Sequence, residues 1–483
     1  MRLAGARWAA VAAVTVAALS ATASAWADAS PLNVVVIETD DQTADSLWAM
    51  PIVDRLLVRR GVTFENSFVS FPLCCPSRAT FLTGQYPHNH GVENNRPPQG
   101  GYEKLRGDET LPVWLHRAGY RTMLVGKYLN GYGMRDPHEI PPGWTDWHGL
   151  VDPKTYYYYG FTINDEGHTR AYAKKPANYQ TDVLTGKAVR LLRSAASGER
   201  PFFLWTTYLA PHFDFSSNAR PPTPVPGPKD LGSFAGQPAP RTPSFDEADV
   251  SDKPATIRQF RPLTERQRAG IRRLYQRELE SLQAVDRGVG ELIDTLRDTG
   301  ELDSTLLVFT SDNGYLHGEH RVPLGKWLPY EPSIRVPLVI RGPGVPAGVR
   351  LGDLVSNQDL SPTILDAAGA SAALPQDGVS LMPLLRGGAL PARDLLIEGR
   401  YPFGSEPVRY AGVRTKRWFY AEYTNGEREL YDLGVDWDEL SNVAGSPDYA
   451  SVESDLASRL SALRTCSGAS CVGPPPPRAS AAR

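Results

Sequence analysis

Short apolar segments rich in β-branched and aromatic residues alternate along this chain with longer segments of helical periodicity. Strands that are apolar throughout are buried on both faces, as in sheets that carry helices on each side. Such alternation is typical of α/β domains. The pattern therefore predicts an α/β fold whose sheet is covered on both faces. The predicted strands are Val34–Glu38, Thr122–Val125, Phe202–Tyr208, Leu306–Thr310 and Pro337–Ile340.

The clearest helix is predicted from Thr264 to about Arg297. Thr264 and Gln267 have the spacing of a capping box, and apolar residues then recur every three or four positions. Gly300 is a suitable stop, because glycine adopts the left-handed conformation that often ends a helix.

The pattern changes near residue 390, which predicts a large domain over 28–390 and a small one over 391–465. Four short strands and a helix at Val452–Leu463 predict that the small subdomain is built on an antiparallel sheet. Residues 220–255 are rich in Pro, Gly, Ser and Asp, and predict a long surface loop. The low-complexity composition of residues 466–483 predicts a disordered tail. The four strands are Leu395–Glu398, Tyr410–Arg414, Trp418–Tyr423 and Glu429–Leu433.

The first 27 residues have the composition of an export signal. Arg2 and Arg7 precede an apolar run, and small residues at 23–27 offer cleavage sites. We therefore expect a signal peptide over 1–27 and a secreted or otherwise extracytoplasmic product, with an uncleaved anchor as the alternative. No segment is long and apolar enough to predict a membrane span. Loss of the leader takes the formal net charge from -3 to -5, which leaves no basic excess for binding nucleic acid.

Acidic residues follow two of the predicted strands directly. Asp40 and Asp41 come after the first strand, and Asp312 and Asn313 come after the fourth. Open α/β sheets bind ligands at the carboxyl ends of their strands. Carboxylate and amide oxygens, without thiolate or imidazole, favour Ca²⁺ or Mg²⁺ over zinc. Taken alone, each pair has the alternative role of a turn or a helix cap.

The segment Pro72–Tyr86, PLCCPSRATFLTGQY, is the most specific motif of the chain. It resembles the signature of type I sulfatases, whose first cysteine is converted after translation to formylglycine. The resemblance implies that a formylglycine-generating enzyme modifies Cys74 during maturation. The hydrate of the resulting aldehyde, rather than a thiol, would attack sulfur with one hydroxyl and expel sulfate with the other. The chain departs from the usual family pattern at Gln85, where relatives have Lys or Arg.

The resemblance also implies a fold and a metal site. The fold would be alkaline-phosphatase-like, with a mixed sheet flanked by helices. The metal would be Ca²⁺ rather than Mg²⁺, and its ligands would be formylglycine together with the four acidic and amide residues after the strands. Arg78 lies four residues after Cys74, on the same face of a helix that we predict to open after Pro76. It would stabilise the hydrate and hold the metal ligands.

Three further residues match family positions that contact the sulfate ester. Lys127 matches the first catalytic lysine, Lys326 matches the second, and His212 matches the histidine near the leaving-group oxygen. Charge moves to the bridging oxygen in the transition state, so fixed cations and a proton donor there lower the barrier. Many relatives have a histidine two residues after the first lysine, where this chain has Leu129. Each residue alone also fits a solvated lysine or a loop histidine.

Similarity continues over most of Asn33–Val443 and is most specific to the N-acetylglucosamine-6-sulfatase and extracellular endosulfatase branch. The motifs that carry it include TDDQ, PHNH, GKYLN, TSDNGY and VPLVIRGPG. It implies sulfated sugars, such as glucosamine-6-sulfate, as substrates. Two groups of polar residues near the site are open between sugar contact and local turn chemistry. They are His88 and His90 with Asn94 and Asn95, and His317 with His320.

The four cysteines of the chain permit disulfides in an exported protein. Cys466 and Cys471 lie five apart in a Ser/Gly/Ala loop, and we predict that they form a disulfide in an oxidising compartment. Cys75 is then free and buried beside Cys74. A cross-link between the two pairs is the alternative, and it would block the conversion of Cys74.

The sequence as a whole predicts an exported sulfuric ester hydrolase acting on sulfated sugars. Three alternatives stay open at this stage. One is an arylsulfatase acting on small sulfate esters. Another is a phosphodiesterase or phosphonate monoester hydrolase of the same superfamily, because the same fold and metal stabilise phosphoryl transfer. The last is an inactive carbohydrate-binding relative.

Overall fold

The computed structural model describes residues 31–401 and 407–472, so the predicted signal peptide lies outside the described residues. The strands of this part of the chain are β1 Asn33–Asp40, β2 Val62–Phe68, β3 Arg121–Gly126, β4 Asp146–Leu150, β5 Thr162–Asp165, β6 His168–Ala171, β7 Phe202–Pro211, β8 Thr305–Ser311, β9 Leu338–Arg341, β10 Val349–Ser356, β11 Leu395–Tyr401, β12 Val408–Arg414, β13 Trp418–Tyr423 and β14 Arg428–Asp432.

α-helices and short 3-10 helices connect these strands. The α-helices are α1 Pro51–Leu56, α2 Cys74–Thr83, α3 Pro87–His90, α4 Leu111–Arg117, α5 Gln180–Ala196, α6 Ala255–Arg258, α7 Glu265–Asp298, α8 Glu331–Ile334, α9 Leu360–Ala368, α10 Met382–Leu385 and α11 Ala450–Leu463. Short 3-10 helices lie at Ala44–Ala49, Val58–Arg60, Tyr102–Lys104, Lys154–Tyr156, Pro176–Asn178, Leu302–Ser304, Asn357–Asp359, Pro447–Tyr449 and Gly468–Cys471. Within the described residues, no helix is both long and apolar enough to cross a membrane.

A ten-stranded mixed sheet forms the centre of the molecule, in the order β10-β2-β9-β8-β1-β7-β3-β4-β5-β6. β1 pairs in parallel with β8 on one side and with β7 on the other. Every residue of β1 is buried. Its side chains alternate between two cores, with Val34 and Val36 in one and Val35 and Ile37 in the other. This alternation confirms the predicted α/β sheet covered on both faces.

Different helices close the two faces. One core includes apolar residues of α2, α4 and α9, and the other includes residues of α1, α5 and α7. The 34-residue α7 begins with the predicted capping box, in which Thr264 Oγ1 accepts from the backbone of Gln267. Full burial of each valine or leucine in these layers contributes roughly 1.5–3 kcal/mol. The paired helical layers therefore supply the main stabilisation of the sheet.

All five predicted strands of the main sheet are present, with ends shifted by one to three residues. Sequence analysis missed five others, and the reason lies in their side chains. All four residues of β6 are exposed, and β2 and β10 carry polar or exposed residues between apolar ones. Such strands have no continuous apolar run, because one or both of their faces are wet.

The C-terminal strands form a separate antiparallel sheet in the order β11-β12-β13-β14. One face packs on Phe68 and Leu354 of the main domain, and the other packs with α11 and Tyr86. A disulfide joins Cys466 to Cys471. The predicted tail starts too early, because residues up to 472 are ordered and include a 3-10 helix. The rest of that tail lies outside the described residues.

Residues 212–254, which the structure describes throughout, contain no helix or strand. The long loop predicted at 220–255 is therefore present, although parts of it are buried. Lys253 is fully buried and pairs with Glu247. The backbone of His320 donates to the carbonyl of Ser244, so the segment packs on the chain that follows β8. Its backbone groups are satisfied there without regular structure.

Candidate active site

The parallel pairing of β1 with β8 brings the two acidic pairs together at one sheet edge. Thr39 lies opposite Ser311, and the backbone N–H of Asp312 donates to the carbonyl of Thr39 over 3.1 Å. Asn313 Nδ2 donates to Asp41 Oδ1 over 2.6 Å. Asp41 adopts a φ of 70°, a left-handed conformation that aspartate tolerates better than most residues. The chain therefore turns sharply and keeps Asp41 beside Asp40.

Helix α2 delivers Cys74 to the same edge. The sequence predicted that the helix starts after Pro76, but it begins at Cys74. Pro76 therefore lies inside the first turn, where a backbone N–H has no partner within the helix and proline loses nothing. The backbone N–H of Cys75 donates to Asn95 Oδ1 over 2.9 Å, which secures the start of the helix. Cys74 Sγ lies 3.5 Å from Asp40 Oδ1. Cys75 is fully buried, as expected.

The side chains gathered here form a group suited to a divalent cation. One potential ligand atom from each of Asp40, Asp41, Cys74 and Asp312 lies within 4.8 Å of the others, and all four residues are buried. Asp41 Oδ2 is buried without a hydrogen-bond partner, although a buried carboxylate oxygen normally needs one. Hard oxygen donors of this kind bind Ca²⁺ or Mg²⁺. The residues present therefore fit such a metal, with the Asn313 carbonyl oxygen nearby.

Arg78 ties this group to the sheet. Its side chain is fully buried, and Nε donates to Asp312 Oδ2 over 2.8 Å. Nη1 lies 3.3 Å from Glu38 Oε2 and donates to the carbonyl of Lys127 over 3.0 Å. Burial raises the pKa of Glu38 to about 7, although Arg78 opposes the rise. Sequence analysis missed Glu38 as a partner of Arg78, although a charged residue at the end of the apolar run of β1 is a visible signal.

Lys127 enters the site from the end of β3. Gly126 precedes it with a φ of 119°, and a Cβ there would lie 1.9 Å from the carbonyl oxygen of Thr207. Only glycine allows this approach. The ammonium of Lys127 forms an ion pair with Asp40 and lies 4.0 Å from Asp312 Oδ2. Burial opposes its charge most strongly, but Asp40 together with Cys74 and Tyr156 raises the pKa of Lys127 well above its usual value.

Lys326 contacts the cysteine directly. Its Nζ donates to Cys74 Sγ over 2.8 Å and to Asn313 Oδ1 over 3.3 Å, and it pairs with Asp41. Burial and the nearby Asp40 raise the pKa of the Cys74 thiol to about 12. A thiol of this kind stays neutral at physiological pH and is a poor nucleophile.

His212 lies at the other side of Asp41. Its Nδ1 donates to the carbonyl of Phe213 over 2.7 Å, which leaves Nε2 facing Asp41 Oδ2 at 3.7 Å. Burial lowers the pKa of His212, while the two aspartates oppose the shift. Tyr156, which sequence analysis missed, lies beside it with its ring 5.0 Å from the imidazole. No sequence pattern marks this tyrosine, because it comes from a 3-10 helix between β4 and β5.

The four other histidines that the sequence analysis singled out have partners within the protein. His88 donates from Nδ1 to Glu398 Oε2 over 3.0 Å and from Nε2 to the carbonyl of Cys466 over 2.9 Å. His90 contacts Thr80 Oγ1 through Nε2 and accepts from the backbone of Val92 through Nδ1. Both ring nitrogens of His88 and His90 thus have partners within the protein, and sugar contact by these two residues stays a prediction.

The second histidine pair is buried further along the chain. His317 Nε2 lies 2.6 Å from Glu278 Oε2, and His320 Nδ1 lies 2.6 Å from Glu247 Oε2. Sugar contact by these two residues stays a prediction. Asn94 Oδ1 accepts from the backbone of Asn95 over 2.8 Å, which is local turn chemistry.

Comparison with protein families now identifies the chain. The sulfatase family matches residues 32–370, and the C-terminal region of N-sulphoglucosamine sulphohydrolase matches residues 318–466. The chain belongs to the sulfatase family. It is therefore a sulfuric ester hydrolase. Its mixed sheet, flanking helices and separate antiparallel sheet form the alkaline-phosphatase-like architecture of that family.

Named relatives include three kinds of sulfatase. The chain is 34% identical to a Volvox carteri arylsulfatase, over 92% of this chain and 76% of the relative. It is 34% identical to human N-acetylglucosamine-6-sulfatase, over 92% of this chain and 86% of the relative. It is 36% identical to a Drosophila melanogaster extracellular sulfatase homologue, but covers only 31% of that protein's length.

A solved structure extends the similarity to the whole architecture. It is a complex of a protein with its substrate, D-glucosamine-2-N,6-O-disulfate. The TM-score is 0.76 at 25% sequence identity, and the match covers 89% of this sulfatase and 97% of the other chain.

We predict that Arg78→Met destabilises this sulfatase by about 3 kcal/mol or more, because Glu38 and Asp312 lose a buried counter-charge. Urea unfolding measures the loss. The double variant Arg78→Met/Glu38→Gln serves as a control and should recover part of it, since one unpaired carboxylate is then neutral. Equal stability of the wild type and Arg78→Met would contradict this account.

The His88–Glu398 pair should make stability depend on pH. Burial opposes the charge of His88, but the hydrogen bond to Glu398 raises its pKa. A group whose folded pKa is raised contributes its stability in full below the unfolded value of about 6.5 and loses it as pH rises through the folded value. The difference in unfolding free energy between the wild type and His88→Gln should therefore shrink above neutral pH. Glu398→Gln should show the same loss, whereas a difference that is constant with pH would refute the assignment.

Proposed function

We propose that this sulfatase is an exported enzyme that releases sulfate from sulfated sugars, using formylglycine at position 74 and a bound Ca²⁺. One observation carries the proposal. The side chain of Cys74 lies within a buried group of three aspartates, and Lys326 donates directly to its sulfur. A cysteine serving only to pack the core has no need of carboxylate and ammonium neighbours. The neighbours instead suit an oxygen nucleophile that binds a cation.

Conversion of Cys74 explains why a neutral, deeply buried thiol occupies the reaction centre. When formed, the aldehyde hydrate of formylglycine supplies one hydroxyl for attack on sulfur and another for the release of sulfate. The side chain of Cys74 is only 1% exposed. A formylglycine-generating enzyme must therefore reach the motif before the chain folds.

The charge balance of the site supports a divalent cation. Once Glu38 is ionised, above its pKa of about 7, four carboxylates and three cationic side chains leave one net negative charge, which repels a sulfate monoester. A bound Ca²⁺ would reverse this to one net positive charge and would hold the sulfate oxygens. The groups counted are Glu38, Asp40, Asp41, Asp312, Arg78, Lys127 and Lys326.

Each charged side chain can then act at a defined place. Lys326 donates to Cys74 Sγ and Lys127 pairs with the neighbouring Asp40, so their ammonium groups can bind the sulfate oxygens and orient the ester. His212 holds its proton at Nδ1 on a backbone carbonyl, and its Nε2 faces the reaction centre. Nε2 can donate only when the ring carries a second proton there; that imidazolium would give its Nε2 proton to the leaving-group oxygen and return to the neutral ring.

The relatives support sulfated sugars as the substrate class. Human N-acetylglucosamine-6-sulfatase and the structure bound to D-glucosamine-2-N,6-O-disulfate both support a glucosamine sulfate. The Volvox arylsulfatase supports a second candidate, an arylsulfatase acting on small sulfate esters. Comparison of sulfate release from glucosamine-6-sulfate and from 4-nitrocatechol sulfate decides between the two. Extracellular relatives support export.

Co-expression with a formylglycine-generating enzyme should produce a Cys74 peptide with the mass of an aldehyde, together with sulfate release. Without that enzyme the peptide should stay an alkylatable thiol and activity should be lost. Cys74→Ala should lower activity by a factor of about 10³ or more. Cys75→Ala is the matched control and should keep the activity while losing about 1 kcal/mol of stability. Full activity with an unmodified thiol would refute the proposal.

Removal of the metal by a chelator should lower both the melting temperature and sulfate release. Added Ca²⁺ should restore both, because a ligand of the folded state at a hundredfold excess over Kd stabilises by about 2.7 kcal/mol. Asp41→Asn should lose this response, whereas Asp303→Asn, at an exposed site on another surface, should keep it. A melting temperature that ignores both chelator and Ca²⁺ would refute the metal site.

A further inference from the structure

Three aromatic rings stand together beside His212, and no step of the reaction uses them. We call Tyr156, Phe213 and Phe215 the aromatic wall. The ring of Tyr156 lies 5.0 Å from the imidazole of His212 and 5.0 Å from Lys127 Nζ. The ring of Phe215 lies 5.8 Å from the same imidazole. The wall therefore borders the side of the site where the leaving-group oxygen is protonated.

The wall is held firmly in place. Tyr156 and Phe215 stack with a ring separation of 4.3 Å and an interplanar angle of 12°. The backbone N–H of Phe215 donates to the carbonyl of Tyr156 over 3.0 Å, and Asn130 Nδ2 lies 2.6 Å from the Tyr156 hydroxyl. Between the two phenylalanines, the buried Asp214 accepts from the backbone of Tyr158 over 3.0 Å. A ring fixed in this way loses little entropy when a ligand packs on it.

Phe215 is the member of the wall that meets solvent. Its side chain is 49% exposed, whereas Tyr156 is only 5% exposed. An exposed ring that stacks on a buried one, next to the proton-donating histidine, lies where the carbon skeleton of a leaving group must extend. The wall carries no charge of its own. It therefore suits an apolar ring face better than a second sulfate.

We propose that Phe215 binds the ring of the leaving group by packing against the apolar C–H face of a pyranose. The inference rests on the proposed function and deepens it. The cationic side chains hold the sulfate, while the aromatic wall selects a ring-bearing ester over a ring-free one. Aromatic faces of this kind commonly orient ligands in otherwise polar sites.

Titration calorimetry on proteins that carry Cys74→Ala tests the wall without turnover. Addition of Phe215→Ala should raise the Kd for glucosamine-6-sulfate about three- to tenfold, a loss typical of one aromatic contact. The Kd for inorganic sulfate, which has no ring, should change less than about twofold. Phe215→Trp should restore sugar binding. Val435→Ala, at a residue that is 82% exposed in the C-terminal domain, is the matched control and should change neither constant.

Kinetics of the converted enzyme supply a second measurement. Phe215→Ala should raise KM for glucosamine-6-sulfate by the same factor, with kcat nearly unchanged, because the contact is equal in ground and transition states. Unchanged Kd and KM for the sugar ester would refute the proposed role of Phe215 in sugar binding and leave the sulfatase function intact. An equal loss for sugar ester and sulfate would also overturn it, as a general disturbance of the site. If the converted wild type released sulfate from no ester, the proposed function would be refuted. The effect of Phe215→Ala on the Kd for glucosamine-6-sulfate, relative to its effect on the Kd for sulfate, would still test the role of Phe215.

Discussion

The parallel pairing of β1 with β8 is the constraint on which the rest of the structure depends. It sets Thr39 opposite Ser311, so that the residues after both strands emerge at the same edge. A slip of one residue would exchange the faces of β1 and bury the wrong set of valines in each core. The hydrophobic layers on the two faces therefore specify the register, and the register specifies the acidic site. Folding stability and catalysis share one set of contacts.

This arrangement concentrates negative charge where water cannot screen it. Three aspartates and Glu38 would not stay ionised in such a place without counter-charges, because desolvation of each carboxylate costs several kcal/mol. Arg78 forms ion pairs with Glu38 and Asp312. Lys127 pairs with Asp40, and Lys326 pairs with Asp41. Helix α2 contributes both Arg78 and Cys74, so the cysteine and the main counter-charge of the site are positioned by one rigid element.

The reaction type was predictable from sequence because the residues of the site follow elements that the sequence reveals. Strands such as Val34–Glu38 are recognised by their apolar runs, and the residues that follow them must meet at the sheet edge. The predicted positions of Asp40, Asp41, Asp312 and Asn313 therefore needed only the strand order and a local motif. The fold class was equally accessible. What the sequence did not reveal depended on long-range contacts: the wet strand β6, the start of α2, and the partners of His88, which lie more than three hundred residues away at Glu398 and Cys466.

The same distinction separates chemistry from substrate choice in this enzyme. Apart from Lys326, which lies in the segment between β8 and α8, the groups that would act on the sulfate lie on or directly after strands and α2, and their geometry follows from secondary structure. Tyr156 and Phe215 instead belong to two irregular segments, one before β5 and one after β7, which meet only in the folded state. Neither residue has a periodic neighbour or a motif to mark it. Segments of this kind vary without disturbing the sheet, so a sulfatase scaffold can change the ring that it accepts while keeping the charges that cleave the ester.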